Sequence, residues 1–273
     1  MKEIFRSDLL AGKVAIVTGG GTGIGRGISL AFARHGADVV LASRKREHLE
    51  GTAAEIEALG RRALVIPMNI KNYDDVETMA IWALDTFGKI DILVNNAGAN
   101  FLAPAIGISE KGWRAVVDVV LTGTWYCAQV VGKVMIAQGG GKIINISSTT
   151  AWTGSPLMAH SGAAKAGVLN LTRTLAAEWA RYGVTVNDVS PGPVMTEGSK
   201  ERLWRDEETI EKVARKVPLG RFTAVEDIVP VVLMLASPAA DFLTGVTIPV
   251  DGGEWLGKGI GERNALRPPD PRT

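Results

Sequence analysis

Short runs of β-branched and other apolar residues alternate along this chain with longer segments whose apolar positions recur at helical spacing. The runs KVAIVTG (13–19), DVVLASR (38–44), RALVIPMN (62–69), IDILVNN (90–96), GKIINISS (141–148), VTVNDVS (184–190) and GVTIPVD (245–251) read as seven strands. They are apolar almost continuously, which predicts a parallel sheet covered on both faces. Right-handed crossovers make such a sheet doubly wound, so the expected class is α/β, a seven-stranded parallel sheet with helices on both faces. No composition shift or repeat divides the chain, and one domain over 1–256 is expected. From Gly257, GKGIGERNALRPPDPRT is rich in Gly, Pro and charge, and reads as a separate tail (257–273), either disordered or ordered against a neighbouring subunit.

Two long helices, around 111–137 and 160–181, carry apolar residues on more than one face: Val116, Val120, Val130, Val134, Leu171 and Leu175. Part of that surface is expected to be hidden by another subunit. Trp125 and Cys127 in the first helix read as packing residues.

The 273 residues suffice for one large core. A net charge of +1, with 22% charged residues mixed in sign, gives no nucleic-acid footprint. The single cysteine, Cys127, can form no internal disulfide, and MKEIFRSDLL is not signal-like, so a cytoplasmic setting is expected. No apolar run reaches the roughly 18 residues that suggest a membrane span, the final PRT is no Ser-Lys-Leu address, and no metal-ligand set is expected.

Chemistry concentrates in four motifs. TGGGTGIG (18–25) lies between the first strand and a helix, where Gly19 and Gly21 would allow positive φ and close backbone approach and a helix starting near Gly23 would aim free N–H groups at a pyrophosphate. A plain tight turn is the alternative, but NNAG (95–98) follows the fourth strand at the expected switch point and favours nucleotide binding. The second strand ends in Ser43, Arg44 and Lys45 with no acidic residue, and Arg26 follows the glycine turn. A 2′-phosphate would meet donors and positive charge there, which points to NADP(H), unless the bases only open a solvated helix. The remaining motifs are SPGPVMT (190–196) and the stretch from Ser148 through Ser161 to Lys165.

Together these motifs, over nearly residues 8–255, resemble the short-chain dehydrogenase/reductase family. The resemblance implies a Rossmann-type domain and a dinucleotide lined by Thr18, Gly19, Gly21, Thr22, Gly23, Ile24, Gly25, Ser43, Arg44, Lys45, Asn69, Ile70, Asn95, Ala97, Gly98, Lys165, Pro191, Gly192, Val194 and Thr196. In it Asn69 stands beside adenine, Asn95 and Gly98 flank the ribose, Lys165 binds the nicotinamide ribose and Thr196 reaches the carboxamide. The family pattern also implies a Ser-Tyr-Lys catalytic set, whose tyrosine position here holds Ser161, and an asparagine where Val120 stands. Thr150 and Trp152 occupy the stretch where dienoyl reductases carry a replacement tyrosine.

An aliphatic hydroxyl is too weak an acid to protonate a carbonyl, yet it still donates a hydrogen bond. Hydride addition to a carbon–carbon double bond conjugated to a thioester tolerates that loss, because charge collects on an oxygen that Ser148, Ser161 and Lys165 can hold. AHSGAAKAGVLNLTRTLAAEW and LDTFGKIDILVNNAGANFLAPAIGISEKGW are similar to trans-2-enoyl-CoA reductases and, more distantly, 2,4-dienoyl-CoA reductases. The expected function is therefore reduction of an enoyl or dienoyl thioester by NADPH, with an acyl-CoA substrate and, by family likeness, a homotetramer. Two alternatives stay open: a ketoacyl or alcohol dehydrogenase with an atypical acid, and an inactive dinucleotide-binding protein. His160, the tempting surrogate acid, is expected to face away, since helical neighbours point about 100° apart. In the segment 199–216, Lys200, Arg202 and Arg205 could meet CoA phosphates and Leu203 or Trp204 cover an acyl chain, against the plainer reading of a solvated amphipathic helix.

Overall fold

Each predicted run becomes a strand because its β-branched residues are buried on both sides of one sheet. The computed structural model describes residues 4–204 and 206–256. In chain order the elements are β1 (Val14–Thr18), α1 (Gly23–Arg34), β2 (Asp38–Ser43), α2 (Arg46–Ala58), β3 (Ala63–Pro67), α3 (Tyr73–Phe87), β4 (Ile92–Asn95), α4 (Glu110–Val117), α5 (Gly123–Gln138), β5 (Gly141–Ile146), α6 (Thr150–Thr153), α7 (Ala159–Trp179), β6 (Val184–Pro191), α8 (Glu197–Arg202), α9 (Glu207–Lys216), α10 (Val225–Ala236) and β7 (Thr247–Val250). The sheet is wholly parallel with order β3-β2-β1-β4-β5-β6-β7. Strand order reverses between β1 and β4, which opens a crevice at their C-terminal ends where ligands of such sheets bind. The tail expected from Gly257 lies outside the described residues, as does Arg205.

The two faces have separate cores. Ala15 and Val17 of β1, with Ile92 and Val94 of β4, pack under α1, α2 and α10 against Phe32, Ile56 and Ile228. Val14, Ile16 and Leu93 point the other way, toward α3, α5 and α7, onto Met79, Val131 and Leu175. A buried leucine or isoleucine cut back to alanine in such a core costs about 2–5 kcal/mol.

The expectation that apolar faces of the long helices need a partner is not supported by the residues chosen for it. Val116, Val120, Val130 and Leu175 are buried within the single chain, and Val134 and Leu171 pack partly buried on the same core. Helices α4 and α5 join through a π-helical turn at Asp118–Thr122, giving one helical run, Glu110–Gln138. That run is long and apolar enough by length and composition to cross a membrane, but half of its most apolar window is buried in the fold, as in a core helix. Packing against the sheet and neighbouring helices covers Val116, Val120, Val130 and Val131 of that run.

At the C-terminal ends of the strands the second core gives way to a polar row. Asn95 of β4 pairs in register with Asn145 of β5, Asn145 with Asp188 of β6, and Asp188 with Thr247 of β7. Side chains two apart share a sheet face, so Asn95, Asn145 and Asp188 continue the face of Leu93, Ile143 and Val186 beneath α7. The Asn95 amide donates to Asn145 Oδ1 at 2.9 Å, and Asn145 donates to Thr172 Oγ1 on α7 at 2.8 Å.

Candidate functional site

The glycine turn after β1 is shaped by backbone approach. Gly19 adopts φ +67°, and a β-carbon on Gly25 would fall 2.1 Å from the Gly19 carbonyl oxygen. Gly21 departs from expectation: its φ is not positive, and its constraint is contact, since a β-carbon would lie 2.4 Å from His48 O. Thr22 at the N-cap makes no side-chain cap and the first turn of α1 holds no acidic residue, so the amides of Gly23, Ile24 and Gly25 keep their donors for an anion. An uncapped helix start beside a cradle that any side chain would fill fits a dinucleotide pyrophosphate.

Thr18 fastens the crevice. Its hydroxyl donates to Val94 O and accepts from the amides of Asn96 and Ala97, each at 3.0 Å. Asn96, which sequence reasoning missed, donates its side-chain amide to Thr18 O and Gly19 O, tying the turn to the β4 loop. Asn95 is buried and turned along the polar row, so it supports the floor of the crevice from below. Gly98 lies in the loop beyond.

Around the adenine end, Ser43 is half-buried at the close of β2, while Arg44 and Lys45 are exposed. Arg44 forms no ion pair among the described residues, and Lys45 reaches Glu47 only at 4.0 Å. Arg26 does not join them: its guanidinium forks Glu55 of α2 at 2.7 and 2.8 Å. Asn69 is half-buried, its amide N–H held by Asp75, and Ile70 packs beside Gly123. Across the crevice, Thr196 brings its methyl side against Gly23 and caps α8 reciprocally with Ser199. Pro191 accepts from Thr149 N, Gly192 sits tight against Asp251, and Val194 bridges to Thr223. The glycine turn and the β6 loop thus form two walls of one cleft.

The catalytic candidates stand just past the end of β5 and on the first two turns of α7. Lys165, on the second turn of α7, donates from Nζ to Ile146 O at the end of β5. Two residues on, the Ser148 hydroxyl accepts from the Thr150 amide and hydroxyl, and Thr150 O in turn faces Gly162 of α7. Ser161 is buried on the first turn of α7, and its hydroxyl has no hydrogen-bond partner among the described residues. Burial pulls the Lys165 ammonium down to about 8, partly countered by the negative charge of Asp188.

His160 is fully buried. Its ring meets Phe101 edge to face at 4.3 Å, and Nδ1 accepts from the Ser161 amide at 2.8 Å. Accepting at Nδ1 requires that nitrogen unprotonated, and burial holds the imidazole below its usual pKa. A neutral, walled-in ring is a poor proton donor.

No phenol compensates. Of the three tyrosines, Tyr73 and Tyr126 meet edge to face between α3 and α5, with Tyr73 Oη donating to Gln129, and Tyr182 is exposed beyond the far end of α7. Trp152 tilts against Trp255. Val120 is buried in the π-helical turn, where its carbonyl accepts from Thr124. Trp204 folds onto Phe222 and donates to Val194 O, and is not a free cover. Cys127 is fully buried, with its thiol pushed up to about 12, which leaves it inert as a nucleophile.

A model of the family described as enoyl-(acyl carrier protein) reductase matches residues 19–254. The chain is 38% identical over 255 residues, 93% of its length and 85% of the relative's, to peroxisomal 2,4-dienoyl-CoA reductase ((3E)-enoyl-CoA-producing) of Danio rerio. It is also 38% identical over 250 residues, covering 91% of this chain and 97% of the relative, to 2-dehydro-3-deoxy-D-gluconate 5-dehydrogenase of Escherichia coli strain K12. A crystal structure from Beutenbergia cavernae, described as an NAD(P)-dependent gluconate 5-dehydrogenase with bound NADP at low occupancy, matches with TM-score 0.86 at 37% identity over 92% of this chain and 99% of that one.

Proposed function

The chain belongs to the short-chain dehydrogenase/reductase family of oxidoreductases, and from that premise we propose that it reduces the carbon–carbon double bond of an enoyl or dienoyl thioester, of acyl-CoA type, with NADPH. The observation that carries this reading is Ser161 itself, a serine four residues before Lys165 whose hydroxyl makes no hydrogen bond among the described residues, while the chain's three tyrosines all stand elsewhere, Tyr73 and Tyr126 between α3 and α5 and Tyr182 past the far end of α7. The dienoyl-CoA reductase likeness supports the substrate class. The NADP bound in the Beutenbergia structure, together with exposed Arg44 and Lys45, supports the cofactor.

NADPH, when bound, supplies hydride. The glycine turn and the amides of Gly23, Ile24 and Gly25 would hold its pyrophosphate, Arg44 and Lys45 its 2′-phosphate, and Lys165 and Thr196 its nicotinamide half. Hydride added at the β-carbon of an enoyl thioester, or at the δ-carbon of a dienoyl thioester, would push the conjugated electrons onto the thioester oxygen. Ser148, Ser161 and Lys165 hold that oxygen by hydrogen bonds, and one such donor is worth about 2.7–4 kcal/mol. The α-carbon then takes a proton from water, which closes the balance.

A second reading, reduction or oxidation at a sugar-acid carbon bearing oxygen, is favoured by the gluconate dehydrogenase likeness. One assay separates them: NADPH oxidation followed with trans-2-enoyl-CoA, with 3-ketoacyl-CoA, with a keto-gluconate, and with no substrate. Oxidation that needs the enoyl thioester supports the proposal; oxidation driven only by a ketone overturns it, and binding without turnover leaves a dinucleotide-binding protein.

A further inference from the structure

Beneath the donor set lies a carboxyl for which the mechanism above has no use. Asp188 of β6 is fully buried, in the polar row of the sheet. Its Oδ2 accepts from Ser147 Oγ at 2.6 Å, the Ser190 hydroxyl lies 2.5 Å from that same Ser147 oxygen, and Oδ1 has no partner. The element covering this part of the sheet is α7, which places Lys165 on Ile146, the residue before Ser147. A carboxylate enclosed without a cation in contact is costly unless another charge nearby offsets it.

We infer that Asp188 is a positioning residue, the buried counter-ion that keeps Lys165 protonated at the mouth of the cleft. The inference rests on the reading of Lys165 as a charged donor. Two serine hydroxyls steady the carboxylate, and no direct ion pair with Lys165 forms, so the ammonium stays free to point its donors at Ile146 O and at a ligand. The two groups act on each other through space: burial lifts the carboxyl to about 7, with Lys165 and Ser147 opposing, and Asp188 lifts the ammonium that burial depresses.

Other titratable groups on the elements packed against β6 are engaged or remote. Lys142, on β5, pairs with Asp241, Glu226 and Asp227 sit on α10 across the sheet, and Tyr126 meets Tyr73 edge to face. Lys133 of α5 and Arg173 and Glu178 of α7 are exposed, Arg181 and Tyr182 lie past the far end of α7, Cys127 is un-ionised, and His160 is enclosed by Phe101. None of them enters the balance at Asp188 or Lys165.

The test reads the proton on Lys165 directly. The full chain is pulse-labelled with acetic anhydride from pH 5 to 11, and Lys165 acetylation is quantified by peptide mass spectrometry against exposed lysines. Asp188→Asn keeps the shape and an acceptor for Ser147 but removes the charge, and the Lys165 curve is expected to move down by about one pH unit or more. Ser147→Ala keeps the carboxyl but removes the hydrogen bond that favours its ionised form, and should move the curve the same way by less. Superimposable curves for wild type and both variants overturn the inference. In parallel, the alkaline limb of kcat/KM for enoyl-CoA reduction should fall with the labelling curve. A labelling shift without enoyl-CoA turnover sinks the proposed function and leaves the counter-ion; turnover with unmoved labelling does the reverse.

Discussion

Gly25 lies directly over Gly19, so close that a β-carbon at 25 would stand 2.1 Å from the carbonyl oxygen of 19. Gly25→Ala must therefore push the turn open and should abolish NADPH binding measured by titration calorimetry. Gly51, in α2, has nothing within 4 Å of a β-carbon. Gly51→Ala should leave binding intact and raise stability by about 0.5–1 kcal/mol, read as a small rise in Tm.

Ser161 and Ser148 carry the proposed oxyanion contacts. Replacing either by alanine should lower kcat for enoyl-CoA reduction by roughly a hundred- to a thousandfold with little change in cofactor affinity. Stopped-flow kinetics with saturating NADPH would read this, and a loss under threefold in both variants would remove the donors from the mechanism.

Charge at the adenine end should separate by partner. Arg44→Ala should weaken NADPH about ten- to a hundredfold, the worth of a charge-assisted contact, and leave NADH unchanged. Arg26→Ala should alter neither affinity, because its guanidinium serves Glu55, and as an exposed pair it should cost at most about 1 kcal/mol of stability. Fluorescence titrations with both nucleotides check the pair.

His160→Gln should keep turnover within a few-fold of wild type while lowering Tm modestly, since an edge-to-face ring contact contributes about 0.5–1.5 kcal/mol. Collapse of turnover with folding intact would return the imidazole to the chemistry.

Cys127 should resist Ellman's reagent in the folded protein over pH 7–9 and react once guanidinium unfolds it, because its thiol ionises only near 12 and is wholly buried.

Strand runs and the glycine turn were legible because their causes are local: β-branched residues in series, and glycines between a strand and a helix. Partnerships across the sheet were not. Asn145 and Asp188 are ordinary letters in GKIINISS and VTVNDVS, and only parallel register sets them side by side. Asn95 and Asn96 look equivalent in NNAG, yet alternation sends one along the polar row and the other to the glycine turn. The partner of Arg26 is not legible in the sequence, because Glu55 stands on another helix. Val116, Val120 and Val130 read as surplus apolar surface because a sequence does not show which helix faces meet the sheet and which meet other helices; in the fold all three are buried.

Burial raises the Asp188 carboxyl and lowers the Lys165 ammonium, so the charge at this one spot follows the pH of its surroundings. A crystal grown in acetate buffer would carry a surplus positive charge at this spot, one grown in bicarbonate a surplus negative one, and only near neutrality would the two cancel. Soaks of an anionic thioester at those extremes would meet different hosts in the same lattice.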